Sequence, residues 1–549
     1  MNRTLILLFA ALLIVQPAIG VEPKAGDSTE RTFAELESAG FVINEIRIRP
    51  ENIFDLSDSD ENNWLFRLAN RLHVTTRPQV IEKTLLFKRG ERVSAQKILE
   101  TERLLRNNRV LYDVEIKPVA AADGKVDIEI STRDTWTIDL AANVSRTGGD
   151  NKTSIGLKEY NLLGTGLALG FTRLSDVVRK GTEFEIFYPQ AFDGRTHVSY
   201  TQATFDDGKR KSAAVVRPFY ALDTRWAGAA VWNTDDRIDS IYNAGATVAQ
   251  YRHRQESAEV SGGWSPGLIN GWTQRTLIGA RLRDDVFLAE PGRVFPTFAP
   301  ASTLPATQEQ RAVFLRYELV EDRFVKLKNR DQIGRPEFFR LGFNSQMQIT
   351  RALESLGSTR SAWLYSVLVR NGISLASGRD ILVSGVLERR LASTSLPMTQ
   401  VGAAVRYFVP QGSDWLFYAA LSADRISGGG LADQLLLGGN NGLRGYPSDY
   451  QAGTRRALLS IEQRYYTDWY PFRLFRVGGA VYFDYGRAWG GLNRNTSNPG
   501  WLADAGIGFR FALDRTAFAN VLHADIAVPL NRVPGIKPVQ FVVKTEISF

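Results

Sequence analysis

A chain of 549 residues without a single cysteine excludes a disulfide framework, thiolate metal sites and cysteine nucleophiles. Its 44% hydrophobic and 23% charged residues, with a mean hydropathy of −0.19, exclude a bundle of membrane helices but leave room for a membrane barrel, half of whose strand residues face a polar lumen. The net charge of +8 is unevenly placed: residues 21–134 carry −3 and the chain beyond them +10.

In chain order, Arg3, an apolar run over 4–15 and small residues at Ala18 and Gly20 form the pattern of a secretory signal spanning 1–20. The run is shorter than the 17–25 residues that span a bilayer. No later stretch reaches that length, so a membrane location requires strands. Residues 21–40 read as a linker. Residues 41–134 then form a small α+β unit. Residues 41–48 alternate as a strand, 62–72 carry apolar residues at helical spacing, and 77–87 form a further segment. Ser94 can cap a helix holding Ile98, Leu99, Leu104 and Leu105 on one side. Alternating runs at 110–119 and 125–131 meet at a turn, Asp123-Gly124.

After Asp134 the pattern becomes alternation with frequent turn signals to the last residue, clearest at 136–144, 182–188, 312–320, 415–423, 458–466, 506–513 and 541–549. A soluble β-sandwich or propeller also alternates. Against it stand the unbroken strand pattern over 135–549, aromatic residues near strand ends (Tyr465, Tyr466, Trp469, Tyr470, Trp489, Trp501) and a terminal aromatic, Phe549. These suit a closed membrane barrel with interfacial girdles. Closure predicts pairing of the first strand, near Trp136, with the last, near Phe549. The segments number from sixteen to twenty, the spread coming from 238–361.

Two motifs stand out. Residues 435–446 read Leu-Leu-Leu-Gly-Gly-Asn-Asn-Gly-Leu-Arg-Gly-Tyr, with Gly438, Gly439, Leu443, Arg444, Gly445 and Tyr446 at their centre; residues 481–486 read Val-Tyr-Phe-Asp-Tyr-Gly. Strand parity places Glu462 and Asp484 opposite Leu459, Ile461, Phe483 and Tyr485, hence in the lumen, where an inward loop would bring Arg444 to them as a planar fork for carboxylates. Together the motifs resemble the sixth extracellular loop and its partner strand in the BamA/TamA/two-partner-secretion superfamily (outer membrane protein assembly factors, bacterial surface antigen type). Residues 161–166 and the pairs Tyr188-Pro189 and Asp193-Gly194 are similar to its periplasmic turns. Residues 86–91 and 111–114 are similar to a POTRA (polypeptide-transport-associated) domain. Phe549 matches its C-terminal barrel signal.

The resemblance implies one periplasmic POTRA domain over 41–134, an outer-membrane barrel over 135–549 with sixteen antiparallel strands, and protein transport as the function. The location implied is the outer membrane of a Gram-negative bacterium, with the N-terminal domain in the periplasm. The activity is assembly of other outer-membrane proteins or secretion of a partner, with unfolded or secreted polypeptides met by the POTRA domain. A passive diffusion pore or surface antigen is the alternative. Members of the superfamily carry two, three or five POTRA domains, or one with a lipase, whereas this chain has room for one and no lipase.

Enzymatic readings fare poorly. Residues 263–267 fit G-x-S-x-G, but the residue after Ser265 must supply an oxyanion N–H, and Pro266 has none. His73, His197, His253 and His523 show no ligand spacing, and no nucleotide loop occurs. The expectation is no catalytic residue, no metal and no cofactor. The basic barrel suits contact with outer-membrane lipids, including lipopolysaccharide phosphates, rather than nucleic acid.

Overall fold

A computed structural model describes residues 31–549 apart from 176–178, 244–245, 291–303, 393–396, 431–432, 491–498, 514, 518–520, 532–535 and 547–549. The segment expected to be a leader, 1–20, and Phe549 lie outside the described residues.

The N-terminal unit begins earlier than its sequence pattern indicates. Within the segment read as a linker, helix α1 (Phe33–Ser38) is closed by a capping box between Thr32 and Glu35 and buries Leu36. Strand β1 (Val42–Glu51), helices α2 (Trp64–Leu72), α3 (Pro78–Glu82) and α4 (Ala95–Arg106), and strands β2 (Leu111–Ala122) and β3 (Lys125–Asp134) follow. The sheet order is β1-β3-β2, with β1 parallel and β2 antiparallel to β3. Ile43, Ile81, Phe87, Ile98, Leu105, Val114, Ile128 and Ile130 form its core. Ser94 caps α4 by accepting from the Lys97 N–H. That helix buries Ile98, Thr101 and Leu105, while Leu99, one of the apolar residues assigned to its inner side, faces outward: at 100° per residue it stands a quarter turn from Ile98.

The rest of the chain closes into an antiparallel barrel in which sequential strands are neighbours. Among the described residues the barrel has twenty long strands, from Ile138–Thr147 to Gln540–Glu546, rather than sixteen. In the middle of the chain the strands Trp226–Asn243, Ala246–Trp264 and Trp272–Ala289 run well past the usual length. Their far ends carry charges on both faces, with Asp235, Asp236, Arg237, His253 and Arg254 in adjacent register, so apolar alternation ends before the strand does. Closure is made by the register pair Val543–Arg146. Trp136 does not join that pairing; it bridges to Thr516, and its N–H donates to the Arg515 carbonyl at 2.7 Å.

Outward-facing residues form an apolar belt. On the strand Trp272–Ala289 it runs from Trp272 through Ile278 to Leu282 before Asp284, roughly 33 Å of strand at ~3.3 Å per residue, or about 25 Å of height once tilted by ~40°. Trp226, Trp264, Trp272, Trp415 and Tyr465 ring the end nearer the N-terminal domain, and Trp363, Tyr485 and Trp501 ring the other. We call these the proximal and distal ends.

Four proximal turns grip the N-terminal unit. Arg77 N–H donates to the Gly164 carbonyl at 2.9 Å and Asn161 Nδ2 to Thr76 Oγ1 at 2.8 Å. Gln190 reaches the Val80 carbonyl at 2.9 Å, Arg195 the Leu85 carbonyl at 2.8 Å, and Leu222 N–H the Glu100 carboxylate at 2.9 Å. Arg515 pairs with buried Glu61 at 2.5 Å. Gly164 has φ +71° and stands against the Thr75 carbonyl, where a Cβ would collide.

Candidate functional site: a loop held inside the barrel

The distal connection between the strands Trp415–Gly428 and Arg455–Tyr466 folds inward. A short ribbon, Leu435–Leu437 against Gln451–Gly453, starts and ends it. Its turn is knitted by Gly439 N–H to the Pro447 carbonyl at 2.9 Å and Leu443 N–H to the Gly438 carbonyl at 3.0 Å. Gly438 packs against the backbone of Pro447, Asp449 and Tyr450, and Gly439 against Tyr446 and Gly148, so neither position has room for a Cβ. Leu437, Leu443 and Tyr446 are buried against Ala488 and Leu502 of the wall. The Tyr446 hydroxyl donates to the Ala503 carbonyl at 2.9 Å.

This anchorage aims Arg444 at the wall. Its Nε and Nη2 donate to the two oxygens of Asp484 at 2.7 and 2.9 Å, and Nη1 donates to Glu462 Oε1 at 2.9 Å. The guanidinium lies 3.3 Å from the centroid of the Tyr482 ring. Asp484 is 0% exposed and the other two charged groups are buried. Alternation explains the placement: Glu462 and Asp484 point inward while their neighbours Phe483 and Tyr485 stand on the outer belt. A bidentate fork plus a third charge-assisted bond is a strong and directional arrangement in a region shielded from water.

The sequence is matched by no family model and by no curated protein. Among solved structures it is similar to BamA from Haemophilus ducreyi lacking POTRA domains 1–3, at 12% identity over 92% of this chain and 84% of that one, with a TM-score of 0.38. It is also similar to CdiB from Acinetobacter baumannii (12% identity, 92% and 74% coverage, TM-score 0.41) and CdiB from Escherichia coli (12%, 93% and 77%, 0.45).

Several residues of the site carry no signature in the sequence motifs. Arg464 donates Nε to Glu462 Oε2 at 2.8 Å and so completes the carboxylate that Arg444 uses; Ser460 hydrogen-bonds Asp484. Both share the parity of Glu462, which is the signal that would have found them. Ser448 reaches the first barrel hairpin, its Oγ donating to the Thr147 carbonyl at 3.2 Å, and no local pattern marks that contact.

A second insertion enters from the proximal end. Residues 322–343, between the strands Gln308–Glu321 and Asn344–Ala352, form a hairpin of Phe324–Leu327 against Glu337–Arg340. Ile333, Phe339 and Leu341 pack on Phe408, Leu416 and Tyr466 of the inner wall. Arg330 pairs with Asp380 at 3.0 Å, and its carbonyl accepts from Arg464 Nη1 at 3.1 Å. On the domain side Lys326 meets Glu102 at 3.0 Å, and Arg103 lies 3.7 Å over the Phe324 ring. Arg464 therefore touches both insertions, one through Glu462 and one through Arg330.

Ser265, the candidate elbow serine, is buried in the turn and its Oγ accepts from the Gly267 N–H at 3.0 Å. His253 lies between Asp239 and Asp285 at 2.7 and 3.0 Å, and His73 bonds Asp134 at 2.8 Å. Each is tied into a polar network of the wall or domain.

Proposed function

We propose that this chain is an outer-membrane barrel that handles polypeptides, inserting client barrels or secreting a partner. The 41–134 unit would act as a periplasmic POTRA domain, and the proximal end would face the periplasm. The observation that carries this reading is the Arg444 fork on Asp484 and Glu462, which spends three charge-assisted bonds to hold an otherwise distal loop inside the lumen. In a passive pore an inward loop would only set the size of the solutes admitted. A barrel that must open for a client while remaining sealed at rest gains a latch.

Two further features support it. Strands β1 and β2 are the edges of the N-terminal sheet, and an edge offers unpaired N–H and C=O groups to an extended client. Among the described residues the barrel closes at the pair Val543–Arg146, next to the hairpin that Ser448 touches. Outward basic residues of the distal rim, such as Lys209 and Lys211, suit lipopolysaccharide phosphates.

Depletion of the protein followed by envelope and secretome proteomics tests the reading. Loss of a set of outer-membrane barrels, or of one secreted protein, is the expected result. An unchanged envelope and secretome together with steady single-channel conductance would establish the pore or surface-antigen alternative.

A further inference from the structure

Helix α2 presents two apolar faces where a domain helix normally needs one. Its inner face is occupied: Phe66 stacks on Phe54 with ring centroids 3.9 Å apart, and Ala69, Trp136 and Leu474 each pack against the cluster these rings form with Ile53. Asn70 exchanges hydrogen bonds with the backbone of Phe54 at 3.1 and 2.8 Å. At 100° per residue, Trp64, Leu65, Leu68 and Leu72 fall together within about a quarter turn on the side away from that packing. All four are exposed, Trp64 by 70% and Leu72 by 60%. Arg67 and Arg71 border this outer face along one side. The Asn63 side chain caps the helix by accepting from Phe66 N–H at 3.0 Å, so the outer face is held on a formed helix rather than on a fraying end.

The helix sits at the proximal rim. Leu65 and Phe66 line one recess with Tyr470 and Phe472 of the turn between the strands Arg455–Tyr466 and Phe475–Trp489. Arg473 of the same turn pairs with Asp60 just before the helix. In that turn Phe472 is 77% and Trp469 64% exposed, and both Phe472 and Arg473 hold positive φ, 55° and 52°. Non-glycine residues pay for that conformation, and here it turns Phe472 outward beside Leu65. The apolar face of α2 is thus continuous with the aromatic rim of the barrel's outer belt.

We infer that α2 is an interfacial helix, its Trp64/Leu65/Leu68/Leu72 face seated in the phospholipid leaflet at the proximal end, with Arg67 and Arg71 at headgroup level. An amphipathic helix with an aromatic at one end and arginines flanking its apolar face is the arrangement that lies in a membrane surface. Continuity with the belt selects lipid over other occupants: the surface that meets the helix face at Phe472 and Trp469 is the one a bilayer already covers. The contact fixes the height and tilt of the N-terminal domain against the membrane close to Arg515, Thr516 and Ala517, which hold Trp136 at the entry to the first strand. The inference rests on the barrel being in a bilayer and is independent of whether it handles clients.

The absence of cysteine makes the test direct. The full chain carrying a single Leu68→Cys or Leu72→Cys, labelled with an environment-sensitive fluorophore, is reconstituted into bilayers of phosphatidylethanolamine and phosphatidylglycerol with or without brominated acyl chains. Lys125→Cys, at the end of β3 remote from the barrel and roughly 30 Å along the strand at ~3.3 Å per residue, is the control. The expected result is several-fold stronger quenching by brominated lipid at 68 and 72 than at 125, with protection from iodide in the water. Iodide quenching at 68 and 72 equal to that at 125 would overturn the inference. So would protection from iodide without quenching by brominated lipid, which would mean that protein covers the face. A barrel that does not enter the bilayer, seen as loss of heat-modifiable migration in the unlabelled chain, would instead overturn the membrane reading beneath it.

Discussion

At the scale of single residues, the latch depends on charges whose alternatives are poor. Truncating Arg444 leaves Asp484 and Glu462 buried with one cation, Arg464, between them; losing one partner of a buried ion pair costs about 3–5 kcal/mol, less where lumen water enters. Arg444→Asp and Asp484→Arg each therefore abolish heat-resistant barrel migration on gels, and the double exchange restores a measurable part of it. If the double variant behaves no better than the worse single one, the pair does not latch the loop. Gly445→Ala is a quieter probe. Its Cβ would stand 2.7 Å from Asp504 Cβ and 3.1 Å from Pro529 N, so one of three packed segments must shift, at a cost of about 1–3 kcal/mol. Differential scanning of the purified barrel should show the loss, with loop protease sensitivity rising in step.

Elements show where sequence reasoning carries and where it fails. Alternation locates the terminal strands because lipid and lumen impose opposite polarity on successive residues, and the same parity places Glu462 and Asp484 on one face. Strand number was lost in the middle, where both faces of the extended strands meet water and Asp235 to Asp239 carry no polarity contrast. The lumen hairpin was illegible for another reason: four-residue strands such as Phe324–Leu327 are too short to show a period, and their burial comes from wall residues more than sixty positions away, such as Phe408. That hairpin carries its own prediction. The Glu337 carboxylate accepts from the N–H groups of Arg330 and Asp331 at 2.8 and 3.1 Å, shaping the turn that bears Arg330. Burial, reinforced by the Asp331 carboxylate, pushes its pKa up to about 7. A raised carboxyl favours the folded hairpin in its protonated form, so this contribution is complete below about pH 4.5 and is lost as pH rises to 7, by about 3 kcal/mol at ~1.4 kcal/mol per unit. Lumen conductance in planar bilayers should therefore increase from pH 5 to pH 8, and Glu337→Gln should hold it at the low-pH level throughout. A wild-type trace that is flat across the range would refute the dependence.

For the whole molecule, two insertions from opposite ends meet on one arginine. Arg444 holds the distal loop to Glu462, Arg464 holds Glu462 to the proximal hairpin through the Arg330 carbonyl, and the hairpin touches the N-terminal domain at Glu102 and Arg103. Under the proposed function, a client on the edge strands of that domain would lie one chain of contacts from Arg444. If the barrel handles clients as proposed, the client's route would decide whether that chain of contacts opens the lumen or the seam. The seam can be tested separately because the protein has no cysteine of its own. Arg146→Cys with Val543→Cys places two thiols on a directly opposed antiparallel pair, where Cβ atoms ~4.5–5.5 Å apart approach the spacing a disulfide accepts. If the barrel inserts client barrels through its wall, oxidation stops insertion and reduction restores it, while each single cysteine has no effect. If it secretes through the lumen, the oxidised protein continues to export its partner at the unmodified rate, and only variants of the hairpin or of Arg444 change that rate. Envelope assembly and secretion both unaffected by the tether and by those variants would leave a sealed or simply conducting barrel as the molecule's whole activity.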